Sequence, residues 1–443
     1  MPGKFLIETF GCQMNVLDSE KIAGNLSAHG YKAAKNIQDA DLVILNTCSV
    51  RDKAVQKVYA RLGEINRQKA GRKNLIVGVA GCMAQLEGEK ILKKAPCVDI
   101  LAGPQKSYSM HAIVEEYVRT GDRGVNMRSD DEPVSLEIPY ILRENPWRAS
   151  VTISEGCNRR CTYCVVPVTR GNERVRSCKR IIKEVLELAA QGYIEIMLLG
   201  QTVNSYIDRE EGNVTFAELL TRIAAIPGIR RIRFTSPYPT DFTDELLDVM
   251  TTTPQVCNHI HLPVQSGSTR ILKAMGRGYT REGYLDIIRK IRLSSRHICI
   301  STDLIVGFPG EDEKDFEETL SLMDAVEFDN AFSFKYSPRP KTEAFQLSDS
   351  ITEADKSRRL YRLQDHQREI QYRNNSGYLG KILEVFVDSK ARSRVNLTGR
   401  TSGNKIVNFD GPDSLIGRFA QVKIIDFSPN SLKGTWLQKE GLK

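Results

Sequence analysis

Short apolar runs alternate with amphipathic segments in the first third of the chain. The runs at residues 4–10, 41–47 and 74–80 are rich in β-branched side chains and predict buried strands. The apolar residues between them recur at helical spacing, as at Val55, Val58, Leu62 and Ile65. Alternation of this kind predicts a parallel sheet with right-handed crossovers. The strand ends that lead into the helices then lie along one edge of that sheet.

From residue 148 onward the pattern becomes a series of strand-then-helix units. Helices at residues 179–191 and 312–324 are examples of the segments between the strands. The apolar runs predict six strands, at residues 149–154, 194–199, 231–235, 259–262, 299–306 and 331–336. Six units predict a partial (β/α)6 barrel, two units short of a closed TIM barrel. The open side would admit a large substrate to the strand ends, where barrel enzymes carry their chemistry.

Beyond residue 377 the apolar residues repeat with a period of two. The predicted strands lie at residues 382–388, 395–400, 405–409, 418–425 and 432–437. Five short strands predict a small closed antiparallel β barrel. An arginine-rich helix at residues 356–373 precedes it, and a solvated helix face explains its charges as well as a binding surface does.

The chain is therefore predicted to be an α/β protein of three domains. The N-terminal parallel-sheet domain spans residues 1–125 and the partial barrel spans residues 147–374. Residues 126–146, with Asp130 to Pro133 and Pro139, lose periodicity and predict a linker. The small β barrel spans residues 375–440.

Composition adds cysteine and positive charge to this picture. The 443 residues include 10 cysteines, which are not paired at short regular spacing, and the first residues do not form a secretion signal. A reducing, cytoplasmic location follows, and no apolar stretch is long enough to span a membrane. The formal net charge is +8, and residues 377–443 carry 11 Lys and Arg against 6 Asp and Glu. A polyanionic partner fits this surplus.

Cys157, Cys161 and Cys164 place three thiols in eight residues, in the pattern CxxxCxxC. Three thiolates hold three irons of a 4Fe-4S cluster and leave the fourth iron open. The amino and carboxylate groups of S-adenosylmethionine suit that open iron, and an electron from the cluster can cleave the molecule to a 5'-deoxyadenosyl radical. The spacing resembles the radical-SAM superfamily. The alternative is a zinc site closed by Cys178, but a barrel follows the motif and not a small zinc module.

Cys12, Cys48 and Cys82 each follow one of the three predicted N-terminal strands. They therefore meet at the carboxyl edge of the sheet, where open α/β sheets bind ligands. Gly11 and Gly81 precede two of them and allow the backbone to approach a bulky group. We predict a second 4Fe-4S cluster with an open iron. Three unrelated buried cysteines are the alternative.

Polar, glycine-bearing segments follow the barrel strands as well. Gly200, Ser236 and Gln265 lie in three of them and are predicted to line the S-adenosylmethionine pocket. His259 and His261 share one strand face and are interpreted as core histidines with satisfied hydrogen bonds. The remaining four cysteines have no second cysteine at the spacing of a ligand motif and are interpreted as structural: Cys97, Cys178, Cys257 and Cys299.

Two clusters with open irons have different uses. One generates a radical that abstracts hydrogen from carbon, and the other holds or supplies sulfide, so that together they suggest sulfur insertion into a C–H bond. The basic β barrel suggests that this carbon belongs to RNA.

The order of these three domains resembles the methylthiotransferase family, whose last domain is called TRAM. Three segments are similar to the MiaB branch of that family: GCQMN at 11–15, NTCSVRDKA at 46–54 and GQTVNSY at 200–206. LIG at 415–417 and SLKG at 431–434 resemble TRAM sequences. Thr202, Asn172 and Cys178 depart from the pattern expected in the family, and these departures concern details of substrate contact.

The resemblance implies methylthiolation of carbon 2 of N(6)-isopentenyladenosine at position 37 of tRNA. It assigns Cys157, Cys161 and Cys164 to the radical-SAM cluster and the three N-terminal cysteines to an auxiliary cluster. Two S-adenosylmethionine molecules are used, one as methyl donor and one as radical source. Expected partners are a tRNA anticodon stem-loop, an electron donor and a sulfur or iron-sulfur source, with the protein a monomer.

Three alternatives remain for comparison. The substrate could be threonylcarbamoyladenosine in tRNA or an aspartate of a ribosomal protein. The chain could also be a non-catalytic iron-sulfur protein that binds RNA.

Overall fold

The computed structural model describes residues 3–49, 52–72, 74–127, 140–391 and 395–438, and no side-chain detail for residues 52–54. Several sequence features therefore lie outside the described residues. They are most of the predicted linker, including Asp130 to Pro133 and Pro139, the Val50-Arg51 pair of the second motif, and residues 439–440 at the end of the predicted β barrel. The domain boundaries predicted from the sequence stay predictions.

The N-terminal region forms a six-stranded, fully parallel sheet in the order β2-β1-β3-β4-β5-β6. Its strands are β1 Lys4–Phe10, β2 Lys32–Ala33, β3 Leu42–Thr47, β4 Ile76–Gly81, β5 Ile100–Ala102 and β6 Gly124–Asn126. Its helices are α1 Gln13–Ala28, α2 Asp52–Lys69, α3 Cys82–Glu87, α4 Glu89–Lys94 and α5 Met110–Thr120. The predicted parallel sheet is confirmed, and the three predicted strands are its centre. The short strands β2, β5 and β6 were not predicted, and β6 ends at the first residue of the predicted linker.

Strand β3 is buried along its whole length because the sheet has a hydrophobic core on each face. Val43 and Leu45 pack with the helical series Val58, Leu62 and Ile65 on one face. On the other face, Ile44 belongs to a second core with side chains of α1 and α5. Burial on both faces explains why the apolar residues of this strand are consecutive and do not alternate with polar ones.

The middle region forms an arc of six parallel strands, as the sequence predicts. These are β7 Arg148–Thr152, β10 Glu195–Leu199, β13 Arg231–Phe234, β14 His259–His261, β15 Cys299–Val306 and β16 Asn330–Lys335. A bridge between Ile232 and Val256 joins the first three strands to the last three. Four two-residue strands lie between them: β8 Ser154–Glu155, β9 Arg174–Val175, β11 Ile207–Asp208 and β12 Val214–Thr215. In the described part of the chain β7 and β16 do not pair with each other, so they are the edges of an open arc.

Eight helices accompany the arc within the described residues. They are α6 Val166–Arg170, α7 Cys178–Ala190, α8 Phe216–Ala224, α9 Asp244–Thr252, α10 Thr269–Ala274, α11 Arg281–Leu293, α12 Glu313–Val326 and α13 Glu353–Ser376. The arginines of α13 largely face acidic partners: Arg359 and Arg362 lie 3.4 and 3.0 Å from Glu313 of α12. Much of the positive charge of this helix is therefore neutralised within the protein. No helix in the described part of the chain combines the length and apolar character needed to cross a bilayer.

The C-terminal strands close into a small barrel in the order β17-β18-β19-β21-β20. They are β17 Ile382–Lys390, β18 Leu397–Thr401, β19 Ile406–Asp410, β20 Phe419–Phe427 and β21 Leu432–Trp436. The prediction of a closed five-stranded barrel is confirmed, but the expectation that it is antiparallel throughout is not met. Strands β19 and β21 pair in parallel because β20 intervenes between them in the chain and lies on the other side of β21.

The C-terminal barrel packs against the amino-terminal ends of the six-strand arc. Arg231 of β13 donates to the carbonyl of Arg400 at 2.8 Å, and Arg148 of β7 to Asp388 at 2.7 Å. At the start of β15, the Cys299 thiol is 3.5 Å from the Tyr378 hydroxyl. The carboxyl ends of the strands, at the opposite end of the arc, remain on the side of the cysteine motif.

Candidate active site

The structure brings the three N-terminal cysteines to one edge of the sheet, as the sequence predicts. Cys12 directly precedes α1, Cys48 follows β3, and Cys82 opens α3 at the end of β4. A hydrogen bond with the Cys48 thiol is the main cause that lowers the pKa of Cys12 to about 6, and the charge of Arg170 contributes. Burial raises the pKa of the Cys82 thiol, and the same arginine opposes that effect.

The donor set at this edge consists of three thiols, the side chains that ligate iron-sulfur clusters. Within the described residues, no three His, Cys, Asp or Glu side chains are close enough to hold one metal ion. A 4Fe-4S cluster takes one thiolate per iron, so its ligands are spaced around a larger body. Gly81, with φ +93°, allows the ends of β3 and β4 to pack closely, since a Cβ there would lie 2.5 Å from Asn46 Oδ1. The buried Ser49 hydroxyl, next to Cys48, has no hydrogen-bond partner among the described residues, and a buried polar group of this kind suits a site that binds a further group.

The CxxxCxxC segment is a loop after β8 that backbone hydrogen bonds fix in place. The Cys157 N–H donates to the Gly171 carbonyl at 3.0 Å. In the middle of the loop, Thr162 donates to the Met275 carbonyl at 3.0 Å and accepts from the Ala344 N–H at 2.8 Å. Hydrogen bonds to three separate segments therefore fix the position of the loop and of its cysteines.

The three thiols of the loop lie close enough to affect one another's ionisation. Burial raises the pKa of Cys157, and it raises the pKa of Cys164 to about 12, with the Cys161 charge adding to the effect. The charge of Arg277 lowers the pKa of Cys164, and its guanidinium donates to the Cys161 sulfur at 3.4 Å. Thiols with raised pKa values become thiolates when a metal centre replaces the proton.

Cys178 does not complete this set. It lies in the hydrophobic core of the arc, and the Arg222 guanidinium donates to its thiol at 3.6 Å. The other cysteines that we interpret as structural are also buried, and Cys97 donates to the Leu62 carbonyl at 3.6 Å. The zinc alternative therefore has no fourth ligand at Cys178.

The three residues predicted to line the S-adenosylmethionine pocket all lie at carboxyl ends of barrel strands. Gly200 follows β10, and a Cβ there would lie 2.6 Å from Ser154 Oγ. Ser236 and Gln265 follow β13 and β14, and both have positive φ, at 58° and 76°. Non-glycine residues adopt this conformation at a cost and often at functional sites. The buried Thr152 Oγ1, Ser154 Oγ and Gln201 Oε1 have no hydrogen-bond partner in the described structure, which suits a polar ligand at this rim.

The sequence reasoning missed the contact of Arg159, in the cluster loop, and of Arg277 with the ring of Tyr238. Tyr238, in the turn after β13, has Arg159 at 4.4 Å and Arg277 at 4.3 Å from its ring centroid. Arg277 also donates to the Pro263 carbonyl at 3.0 Å, so it joins the loop to the turn after β14. The signal that could have identified it is its position between two glycines, Gly276 and Gly278, in the connection from α10 to α11.

His259 and His261 have the hydrogen bonds expected of satisfied histidines. Ser301 Oγ lies 2.9 Å from His259 Nε2 and 3.0 Å from His261 Nδ1. His261 Nε2 is also 3.3 Å from Asp303 Oδ2. Burial and the neighbouring Arg233 lower the pKa of His259 well below its usual value, so it is neutral at physiological pH.

Comparison with known proteins agrees with this arrangement along the chain. Three family models match: Uncharacterized protein family UPF0004 at residues 4–103, the Radical SAM superfamily at residues 151–323 and the TRAM domain at residues 377–437. A tRNA-2-methylthio-N(6)-dimethylallyladenosine synthase of Solibacter usitatus is 47% identical over 434 residues, covering 97% of each chain. The chain belongs to the tRNA-2-methylthio-N(6)-dimethylallyladenosine synthase family. Members from Koribacter versatilis and Sodalis glossinidius are 46% and 44% identical, over 98% and 99% of this chain and 98% and 94% of their own.

Solved structures of more distantly similar proteins share the fold of this synthase family member. The radical S-adenosylmethionine methyltransferase TsrM from Kitasatospora setae, solved with tryptophan substrate and a SAM analog, superposes with a TM-score of 0.55. The match covers 77% of this chain and 75% of that chain at 15% identity. At that identity the likeness shows a shared fold alone.

Proposed function

We propose that this chain adds a methylthio group to carbon 2 of N(6)-isopentenyladenosine at position 37 of tRNA, giving 2-methylthio-N(6)-isopentenyladenosine. The observation that carries the proposal is identity of 47% with a named synthase over 97% of both chains. Two sets of three cysteines, each at the carboxyl ends of parallel strands, supply the chemistry that this reaction needs.

In this proposal the two cysteine sets have separate tasks. Cys157, Cys161 and Cys164 hold the radical-SAM 4Fe-4S cluster, and the N-terminal set, Cys12, Cys48 and Cys82, holds the auxiliary 4Fe-4S cluster. When bound, the first cluster and S-adenosylmethionine supply a 5'-deoxyadenosyl radical, and the second supplies the site of sulfur transfer. The protein contributes rigid loops, which keep each thiol fixed relative to the other set.

The rim of the barrel binds and orients S-adenosylmethionine. The absence of a Cβ at Gly200 lets the end of β10 pack against Ser154 Oγ, and Ser236 and Gln265 have positive φ at two other strand ends of the rim. The unsatisfied Thr152 and Ser154 hydroxyls are available to the polar groups of the cofactor. Burial of these groups excludes water from the place where a radical would form.

The domain assignment completes the proposal. Residues 1–125 carry the auxiliary cluster, 126–146 are a linker, 147–374 are the radical-SAM core and 375–440 are a TRAM barrel that binds RNA. The tRNA is bound through its anticodon stem-loop with the modified adenosine turned out of its stack, because a base edge must be exposed to be reached. An electron donor, a sulfur or iron-sulfur source, a monomeric state and a cytoplasmic location belong to the same proposal.

The test is anaerobic reconstitution with iron and sulfide, followed by S-adenosylmethionine, dithionite and an isopentenylated anticodon stem-loop. We expect about eight irons per chain, four for each cluster, together with a methylthiolated nucleoside by mass spectrometry. Formation of 5'-deoxyadenosine without a nucleoside product would move the substrate to threonylcarbamoyladenosine or a protein aspartate. Absence of both products would leave an iron-sulfur protein without this activity.

Single cysteine variants separate the two tasks. Cys157→Ala should abolish 5'-deoxyadenosine formation, because the radical-SAM cluster would lose a ligand. Cys12→Ala should retain 5'-deoxyadenosine formation and lose the methylthiolated product. Cys257→Ala is the matched control, since this cysteine is buried and belongs to neither set, and it should keep both products. Retention of S-adenosylmethionine cleavage by Cys157→Ala would contradict the assignment.

A further inference from the structure

The connection from α10 to α11 packs directly on the cluster loop on both sides of Cys161. The Met275 carbonyl accepts from the N–H of Thr162, the residue after Cys161, at 3.0 Å. Gly276, the next residue of the connection, lies against the residue before Cys161, because a Cβ at Gly276 would lie 2.7 Å from the carbonyl oxygen of that residue. Arg277 follows directly, so its side chain starts from backbone that is held against the middle cysteine of the motif.

The guanidinium of Arg277 has a hydrogen-bond partner for each of its three nitrogen atoms. Nη1 donates to the Cys161 sulfur at 3.4 Å, Nε to the Tyr279 hydroxyl at 2.8 Å, and Nη2 to the Pro263 carbonyl at 3.0 Å. Its central carbon also lies 4.3 Å from the centroid of the Tyr238 ring. Because the guanidinium is planar and rigid, these contacts fix its orientation and direct one N–H at the sulfur.

The positive charge of Arg277 has no carboxylate partner in the described part of the chain. Its hydrogen bonds go to a hydroxyl, a carbonyl and a thiol. Arg159, the other arginine over the Tyr238 ring, differs because it forms an ion pair with Asp241. A half-buried cation without a countercharge is stabilised when negative charge comes close to it. The sulfur of Cys161, as a cluster ligand, would bring that negative charge.

We propose that Arg277 is a positioning residue for the radical-SAM cluster that donates a hydrogen bond to the ligating Cys161 sulfur and raises the reduction potential of the cluster. The inference rests on the proposed function, in which Cys157, Cys161 and Cys164 bind that cluster. On reduction the cluster accepts one electron from the electron donor, no bond breaks, and the cluster becomes more negative by that one charge. A hydrogen bond to a ligating sulfur and an adjacent cation both stabilise the reduced state.

The experiment uses the full-length Cys12→Ala/Cys48→Ala/Cys82→Ala protein as its parent, so that only the radical-SAM cluster is reduced. Arg277→Gln and Arg277→Lys are added to this parent, and the midpoint potential is measured by redox titration with electron paramagnetic resonance. S-adenosylmethionine is left out, so an effect on its binding does not enter the result. We expect Arg277→Gln to have a lower midpoint potential than the parent. Arg277→Lys should be intermediate, because it keeps the charge but loses the fixed geometry of the guanidinium.

Arg281→Gln in the same parent is the matched control. Arg281 lies in the first turn of α11, is half-buried like Arg277, and has no carboxylate partner among the described residues. Its guanidinium donates to the carbonyls of Gly267 and Glu318 and to the Ser321 hydroxyl, and no cysteine is among its hydrogen-bond partners in the described structure. We expect this variant to keep the midpoint potential of the parent.

The outcomes separate this inference from the one on which it rests. A parent that binds fewer than about four irons would mean that the proposed radical-SAM site itself is wrong. A loaded parent whose midpoint potential is unchanged by Arg277→Gln overturns the role of Arg277, as does an equal shift in Arg281→Gln. If Arg277→Gln binds no iron, Arg277→Lys decides the question. A potential below that of the parent supports the role, whereas an equal potential, or loss of iron in this variant too, overturns the effect on the potential.

Discussion

Glu311 is a buried carboxyl group in the turn after β15. It accepts from the Gly307 N–H at 2.9 Å and from the Arg359 guanidinium at 2.7 Å, and only 5% of the residue is exposed. Burial raises its pKa to about 7, although both hydrogen-bond donors act in the opposite direction. An ordinary glutamate titrates near 4.3, so this residue binds its proton more tightly in the folded protein than in the unfolded chain.

This difference predicts how stability depends on pH. Between about pH 4.3 and pH 7 the folded protein keeps a proton that the unfolded chain releases, so stability falls as the pH rises through this interval. The full effect is about 4 kcal/mol, from 1.36 kcal/mol per pKa unit. Glu311→Gln cannot titrate there, so its free energy of unfolding relative to the wild type should rise between pH 5 and pH 8.

Denaturant unfolding of both proteins at several pH values checks this. The loss of charge next to Arg359 does not confuse the result, because protonated Glu311 lacks that charge as well. The opposite result would be a wild type that becomes more stable relative to Glu311→Gln as the pH rises. It would mean that Arg359, and not burial, controls the ionisation of this carboxyl group.

At the scale of elements, the CxxxCxxC loop depends on its contact with the segment that follows α6. Gly156 has φ +79°, and a Cβ at this position would lie 2.1 Å from the Asn172 carbonyl oxygen and 2.5 Å from that of Gly171. Both atoms are backbone atoms, which cannot move away as the end of a flexible side chain can. The close approach explains why the residue before the first cysteine is glycine.

Gly156→Ala is therefore expected to displace Cys157 and reduce iron uptake by the radical-SAM site. Gly192→Ala is the matched control: Gly192 has φ +90°, but no atom lies within 4 Å of its would-be Cβ. Both variants place an alanine in the left-handed backbone conformation, which costs about 1–2 kcal/mol. Only Gly156→Ala adds a collision with backbone atoms. Iron content and thermal unfolding of the two reconstituted proteins measure the difference, and equal iron content would show that the collision is relieved without moving the cysteine.

The sequence predicts strands and helices well where a simple pattern of apolar residues repeats along the chain. The strands β1 and β15 have the bounds that their apolar runs predict, and the meeting of Cys12, Cys48 and Cys82 follows from parallel topology alone. Contacts between distant segments have no such rule. Arg277 contacts the Cys161 sulfur from another part of the fold, and only its position between two glycines distinguishes it in the sequence from other arginines. The parallel pairing of β19 with β21 was missed for the same reason, since strand order is a tertiary property.

At the scale of the whole molecule, the C-terminal barrel and the cysteine motif occupy opposite ends of the arc. Arg233 of β13 makes part of the connection: it donates to the carbonyls of Thr401 and Ser402 at 2.8 and 3.1 Å. It also lies 3.4 Å from the buried Glu195 carboxylate. The Trp147 ring packs so closely on Gly417 that a Cβ there would lie 2.5 Å away. Docking thus depends on buried polar contacts and on one tight apolar contact.

Arg233→Met should weaken this docking without affecting the cluster sites. The substitution keeps much of the side-chain volume but leaves two carbonyls and part of the Glu195 charge without a donor, and breaking a buried charged pair costs about 3–5 kcal/mol. We expect a lower unfolding temperature and faster proteolysis between residues 376 and 382, where α13 connects to β17. Arg289→Met is the control, because Arg289 is exposed and, among the described residues, its ion pair is with Asp286 on the same helix. Iron content should equal that of the wild type in both variants, since the cysteines lie at the other end of the arc. If Arg233→Met unfolded and was cleaved like Arg289→Met, the apolar contact at Trp147 would be sufficient to hold the two barrels together.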